Sequence, residues 1–153
     1  MQLDSTLDIA APIDAVWHLT TDVTAWPTLT PTTVQRVERL DDGPMRVGSA
    51  AKVKQPMQRA TTWTVTRYEP NEWFVWEATT FGVHLVATHH LEPIDLADGA
   101  GTGCRNTLTI EMSGRGAGLM ARLAGRRIRE TIETENEQFR RHAQERAGTS
   151  APR

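Results

Sequence analysis

A chain of 153 residues with a formal charge of −2 is one domain's worth, enough to bury roughly 70% of its unfolded surface around a single core without a covalent staple. Cys104 is its only cysteine, which excludes an internal disulfide and any cysteine-rich zinc or iron–sulfur centre and points to an intracellular, cytoplasmic protein. The slight acidity argues against general nucleic-acid affinity, no apolar run approaches the roughly 20 residues of a membrane span, and Met1 to Ala10 alternates polar and apolar residues where an export signal would be charged and then hydrophobic.

Leu3, Ser5, Leu7 and Ile9 alternate with Asp4, Thr6 and Asp8, the pattern of a half-buried strand. Pro12, placed as a first helical residue, opens a short amphipathic helix to about Leu19 that carries Ile13, Val16, Trp17 and Thr20. Asp22 can cap a further short turn. The pairs Trp26-Pro27 and Thr30-Pro31 should keep that turn from growing, because a proline pushes the residue before it out of the helical region. Strands are then expected from Val34 to Leu40 and from Gly48 to Gln55, joined by a turn at Asp41-Asp42-Gly43-Pro44. A meander follows, with Thr61 to Glu69, Trp73 to Thr79 and Val83 to Leu91 separated by turns at Pro70-Asn71-Glu72 and Thr80-Phe81-Gly82. An acidic, glycine-rich loop from Ile94 to Gly103 leads to a seventh strand, Cys104 to Ser113.

Parity sorts the faces of these strands. Phe81, Val83, Leu85, Ala87, His89 and Leu91 share one face, expected inward, as do Trp63 with Val65, Phe74 with Trp76, and Cys104, Asn106, Leu108, Ile110 and Met112. Arg67 and Tyr68 break the alternation near the end of their strand, where a bulge is expected.

The flexible Ser113-Gly114-Arg115-Gly116 leads into the longest element, a helix from Gly118 to Ala147 of roughly 45 Å. Ala117, Ala121, Ala124, Ile128, Ile132, Phe139 and Ala143 form its apolar stripe, small residues first and large ones later, with arginines and glutamates opposite. A sheet must cover that stripe, so the fold is α+β: seven antiparallel strands against one long helix, with two short helices between the first and second strands. Residues 1–147 make the single domain, and Gly148 to Arg153 read as a frayed tail.

This order of elements is similar to the polyketide cyclase/dehydrase and lipid-transport group of the START-like, Bet v 1-like (SRPBCC) superfamily. Its local carriers are Ile9-Ala10-Ala11-Pro12-Ile13-Asp14-Ala15-Val16-Trp17, Asp22 with Trp26, Tyr68-Glu69-Pro70, and Leu91-Glu92-Pro93 followed by Gly101-Thr102-Gly103. The resemblance covers nearly the whole chain. It implies a helix-grip fold, in which a curved antiparallel sheet wraps the long helix and leaves an apolar cavity. Members include lipid and hormone binders and aromatase/cyclases, so the resemblance implies a fold more than an activity.

Three histidines invite a metal, but His89 and His90 point to opposite faces of a strand and His84 lies roughly 20 Å from His90 along it, so no metal ligation is expected. His89 shares its face with Leu85, Ala87 and Leu91 and is either a hydrogen-bonded core histidine or a general acid/base or ligand donor. Glu135 falls between Ile132 and Phe139, either at the edge of the stripe or as a polar partner for Arg67, Tyr68 or a ligand. Asn106 can orient a ligand carbonyl or satisfy a neighbouring side chain. No phosphate loop, Rossmann fingerprint or nucleophile elbow is present, and no cofactor is expected.

Two functions compete. In the first, a small hydrophobic lipid-, aromatic- or polyketide-like ligand is bound among Trp63, Val65, Phe74, Trp76, Phe81, Val83, Leu85, Ala87, Asn106, Leu108 and Ile110 of the sheet and Ala121, Ala124 and Ile128 of the helix. In the second, a cyclase or dehydratase uses the same cavity with His89, Tyr68 or Glu135 moving protons. Leu119, Met120 and Leu123 lie off the alanine stripe and either cover the cavity mouth or form a homodimer or other protein contact. Five arginines between Arg115 and Arg129, with no acid among them, are either a solvated face or a patch for an anionic ligand or partner.

Overall fold

The computed structural model describes residues 1–150. The strands are β1 (Gln2–Ile9), β2 (Arg36–Arg39), β3 (Ala50–Lys54), β4 (Thr61–Glu69), β5 (Trp73–Thr80), β6 (Val83–Asp95) and β7 (Thr102–Ser113). They form one antiparallel sheet in the order β1-β7-β6-β5-β4-β3-β2. Between β1 and β2 stand α1 (Ile13–Thr21), a 3₁₀ turn (Val23–Ala25) and α2 (Trp26–Leu29), and α3 (Ala117–Ser150) follows β7. The chain therefore leaves one sheet edge at Ile9 and re-enters at the other edge at Arg36, with the short helices spanning the gap. This is the seven-stranded helix-grip arrangement.

Alternation explains the register. Across β5, β6, β7 and β1 run two inward rows, Trp76–Ala87–Ile110–Leu3 and Phe74–His89–Leu108–Ser5. Slipping any strand by one residue would turn its row to solvent. The expected bulge lies in β4, where the pairing shifts between Val65 and Arg67 and adds local twist and bend to the strand. At the β5–β6 turn both central residues are left-handed, Phe81 at φ 50° and Gly82 at φ 75°, the geometry that matches the twist of a two-residue hairpin. Gly114 (φ 98°) sits against that turn, and a Cβ there would come 2.5 Å from the Gly82 carbonyl oxygen. The entry to α3 is thus seated on the β5–β6 hairpin.

Several boundaries differ from expectation. Pro12 precedes α1 as its N-cap (ψ 144°) and is not its first helical residue. Trp26 is helical (φ −57°, ψ −37°) even though Pro27 follows it, and the pair begins α2 in place of blocking it. The anchored Trp26 indole overrides the local proline bias, since its Nε1 donates to the Leu19 carbonyl at 3.0 Å. Residues 94–95 and 102–103, read as loop, continue β6 and β7 because Ile94 pairs with Gly103 and Asp95 with Thr102. The helix α3 continues past Ala147 through residues expected as tail, and residues 151–153 lie outside the described residues.

The core lies between sheet and α3. Phe74, Phe139, Ile9, Leu91, Val16, Val65 and Val83 are each fully buried, and removing such side chains from water stabilises the fold by roughly 1.5–3 kcal/mol apiece. The outer sheet face is polar, with Arg105 paired to Asp8 at 2.9 Å and the Thr6 and Thr107 hydroxyls 3.1 Å apart.

Candidate functional site

The packing leaves a cavity of about 460 Å³ on the inner face of the sheet beneath α3, within the range of about 300–1,000 Å³ usual for small-molecule sites. Its room comes from small residues on both sides, Ala87 in β6 and Ala124 in α3. Ala87 stands between Trp76 and Ile110 in its row. Aromatic rings form the adjoining wall: Trp63 and Trp76 are 5.5 Å apart at a 34° tilt, and Trp26 meets Trp76 edge-on at 5.3 Å. Leu85, Leu108, Ile110, Met120, Ile128 and Ile132 complete an apolar lining.

Two titratable groups enter this lining. His89 is 5% exposed, with Trp26, Phe74 and Phe139 at ring distances of 5.5, 5.6 and 5.9 Å. Burial among rings penalises the imidazolium and lowers its pKa to about 3, so the ring is neutral at physiological pH. Its Nδ1 is buried without a hydrogen-bond partner among the described residues. Glu135 stands where α3 passes the cavity and is only partly covered, because one side of it faces that space. Desolvation raises its pKa to about 7, against a smaller lowering by the Thr33 hydroxyl. A carboxyl titrating near neutrality can take up or release a proton under working conditions.

The rim is of different character. Gln55, Gln58, Arg59, Thr61, Arg127 and Thr131 bring polar groups to the opening, with Met57 and Phe81 between them. Arg127 Nη2 donates to the Met57 thioether at 3.3 Å, and Met57 and Phe81 are 85% and 81% exposed.

Of the residues singled out from the sequence, Trp63, Trp76, Leu85, Ala87, His89, Leu108, Ile110, Ala124, Ile128 and Glu135 line this one cavity. Met120 and Phe81 border it as well, and the remaining ones lie elsewhere. Val65, Phe74 and Val83 face inward but are enclosed by packing; the Val65 backbone pairs with Gly48 and Ser49, and Val83 lies beneath Gly116. Phe81 is not an inward strand residue, because it occupies the hairpin turn and reaches only the rim. Tyr68, displaced from strict alternation by the bulge, packs edge-on against Trp17 at 5.3 Å. Asn106 is engaged with Asn136, and Ala121 is partly exposed outside the lining. His84 pairs with Glu77 at 3.1 Å and His90 stacks on Trp73 at 3.8 Å. Cys104 is buried and its thiol is pushed up to about 11, unsuited to nucleophilic work.

Cavity residues that the sequence does not assign to the ligand site include Trp26, Val53, Arg59, Ile132 and Arg127. Val53 was available from the alternation Ala51, Val53 against Lys52, Lys54, and Ile132 from the helical stripe. Trp26 opens a four-residue helix that itself contains Pro27, too short to carry a periodicity.

Residues 1–144 match the family described as polyketide cyclase/dehydrase and lipid transport, and the chain belongs to it. No curated protein sequence matches the chain. Among solved structures it resembles the hypothetical protein jhp0584 of Helicobacter pylori (TM-score 0.77, 9% identity, 94% of this chain and 88% of that one). It also resembles major latex-like protein 151 of Panax ginseng (0.68, 12%, 94% and 97%) and the ZhuI aromatase/cyclase of Streptomyces sp. R1128 (0.59, 18%, 92% and 94%). At these identities the likeness is one of fold. Among the described residues no helix is long and apolar enough to cross a membrane.

Proposed function

We propose that this protein binds a small, mostly apolar, ring-containing molecule in the cavity between sheet and α3. The observation that carries the reading is the inner lining: the indoles of Trp26, Trp63 and Trp76 and the aliphatic side chains of Leu85, Leu108 and Ile128 around a neutral His89 imidazole. Such a lining takes up an apolar ring system by burial, with the rings of the ligand stacked on the indoles. The family description and the resemblance to an aromatase/cyclase and a major latex-like protein support the same class of ligand. An environment-sensitive dye bound to the purified protein should be displaced saturably, one to one, by polycyclic compounds. Failure of every polycyclic or long-chain apolar compound to bind would remove the reading.

Glu135 favours a second reading, a cyclase or dehydratase in the same space, because its carboxyl titrates near pH 7 beside the ligand volume. His89, held neutral, would then orient the substrate and Glu135 would move the proton. Tyr68 has no part in it, being packed on Trp17. Under this reading Glu135→Gln loses turnover and keeps ligand affinity; equal turnover in the two proteins would contradict it.

A further inference from the structure

The cavity has one apolar end and one cationic opening, and that asymmetry constrains the ligand. Arg59 precedes β4 and Arg127 lies on α3, so two separate elements each bring a guanidinium to the same rim. Neither forms an ion pair among the described residues: the carboxylate nearest in sequence to Arg127, Glu130, is taken by Arg126 at 3.0 Å. The contact of Arg127 with the Met57 sulfur, 3.3 Å long, engages one of its donors with a weak acceptor. A carboxylate or phosphate oxygen would replace that sulfur with a charge-assisted bond. The other titratable groups of the lining give an anion no countercharge, because His89 is neutral and Glu135 is itself an acid. The countercharge for an acid group of the ligand therefore lies with Arg59 and Arg127.

Building on the apolar-binding reading above, we propose that the cavity takes an amphipathic anion: a ring-bearing apolar body inside, with its carboxylate or phosphate held at the mouth by Arg59 and Arg127. Guanidinium groups suit this task because they stay charged at all working pH values and match two oxygens at once. The rim is open to water, so the preference for an anion falls as salt is added.

Matched pyrene probes differing only in the terminal group test the assignment: pyrenebutanoate, pyrenebutyl phosphate, pyrenebutanol and pyrenebutylammonium, titrated at low and high salt. The anions should bind at least tenfold more tightly than the alcohol and ammonium at low salt. Arg59→Gln/Arg127→Gln should erase that preference while leaving affinity for pyrenebutanol unchanged, and the stronger of the two anions identifies carboxylate or phosphate as the preferred head. Pyrenebutanol binding as tightly as both anions, or an anion preference that survives the double substitution, would overturn the assignment while leaving the apolar-cavity reading intact. Absence of binding by all four probes would overturn both.

Discussion

Asn106 of β7 donates its side-chain amide to the side-chain oxygen of Asn136 of α3 across 2.9 Å, and both residues are fully buried. The Asn136 amide in turn donates to the Ser5 carbonyl at 3.0 Å, with the Ser5 hydroxyl and Asn106 carbonyl also within 3.2 Å. One helix residue thereby fastens α3 to β1 and β7, fixing the helix along the sheet whose neighbouring segment walls the cavity. Asn136→Ala strands several of these groups and should cost roughly 2–4 kcal/mol of stability. The double variant Asn106→Leu/Asn136→Leu should cost less than the two single leucine substitutions added together, since it leaves fewer orphaned groups. Urea melts of the set measure both; additive costs would mean the pair acts as two unconnected residues.

That pair also shows where sequence reading stops. The stripe of α3 was legible from its spacing, and Asn136 sits on it, four residues after Ile132 and three before Phe139. Spacing and polarity do not tell that Asn136 is enclosed in a hydrogen-bonded pair while the adjacent Glu135 faces the cavity. Strand faces in the meander were readable because alternation has a period of two. Which inward residues meet a void and which meet each other was not, because that depends on how far the sheet bends away from α3. Hence Trp76 and Ala87 border the cavity while Phe74 and Val83, with the same parity, do not. Trp26, Arg59 and Arg127 reach the site through tertiary placement of a short helix, a loop and a helix side.

Glu135 and His89 make stability depend on pH in opposite senses. The folded-state pKa of Glu135 is raised from 4.5 to about 7, so the folded protein holds a proton the unfolded chain releases, and stability falls as pH rises from about 4.5 to 7. That of His89 is lowered from 6.5 to about 3, so its contribution is complete above pH 6.5 and is lost as pH falls toward 3. Glu135→Gln should accordingly gain roughly 1–3 kcal/mol relative to the parent at pH 8 and little at pH 4.5. His89→Gln should gain stability relative to the parent as pH falls from 7 to 4.5. Denaturant melts across this range decide it; differences from the parent that do not change with pH would show that neither group is desolvated as described.

Phe81 holds a left-handed conformation (φ 50°) that asparagine adopts more readily at the first position of such a turn. Because its ring is 81% exposed, little burial is lost on replacement. Phe81→Asn should raise stability by roughly 0.5–1 kcal/mol and weaken ligand retention, since the ring borders the cavity opening. A thermal melt paired with a dissociation-rate measurement checks both; slower ligand release in the variant would contradict the placement of Phe81 at the mouth.

Ile132 and Ala124 test the helix side of the cavity from opposite directions. Ile132 is 4% exposed, and Ile132→Ala should cost roughly 2–5 kcal/mol, nearer the lower value because part of its surface already faces open space. Ile128 is more accessible than Ile132, so its truncation should cost less. Equal losses in the two variants, read from denaturant melts, would place both side chains in closed packing.

The space beside Ala124 is central to the proposed site, and Ala124→Leu addresses it with one affinity and one melting curve. If that space is the ligand volume, the added carbons fill it: stability is kept or raised, and affinity for a polycyclic ligand falls at least tenfold, about 1.4 kcal/mol. If helix and sheet instead close on one another there, the larger side chain forces strain of roughly 1–3 kcal/mol. A strongly destabilised Ala124→Leu protein, or one that binds the ligand as the parent does, would contradict the placement of the site between the sheet and α3.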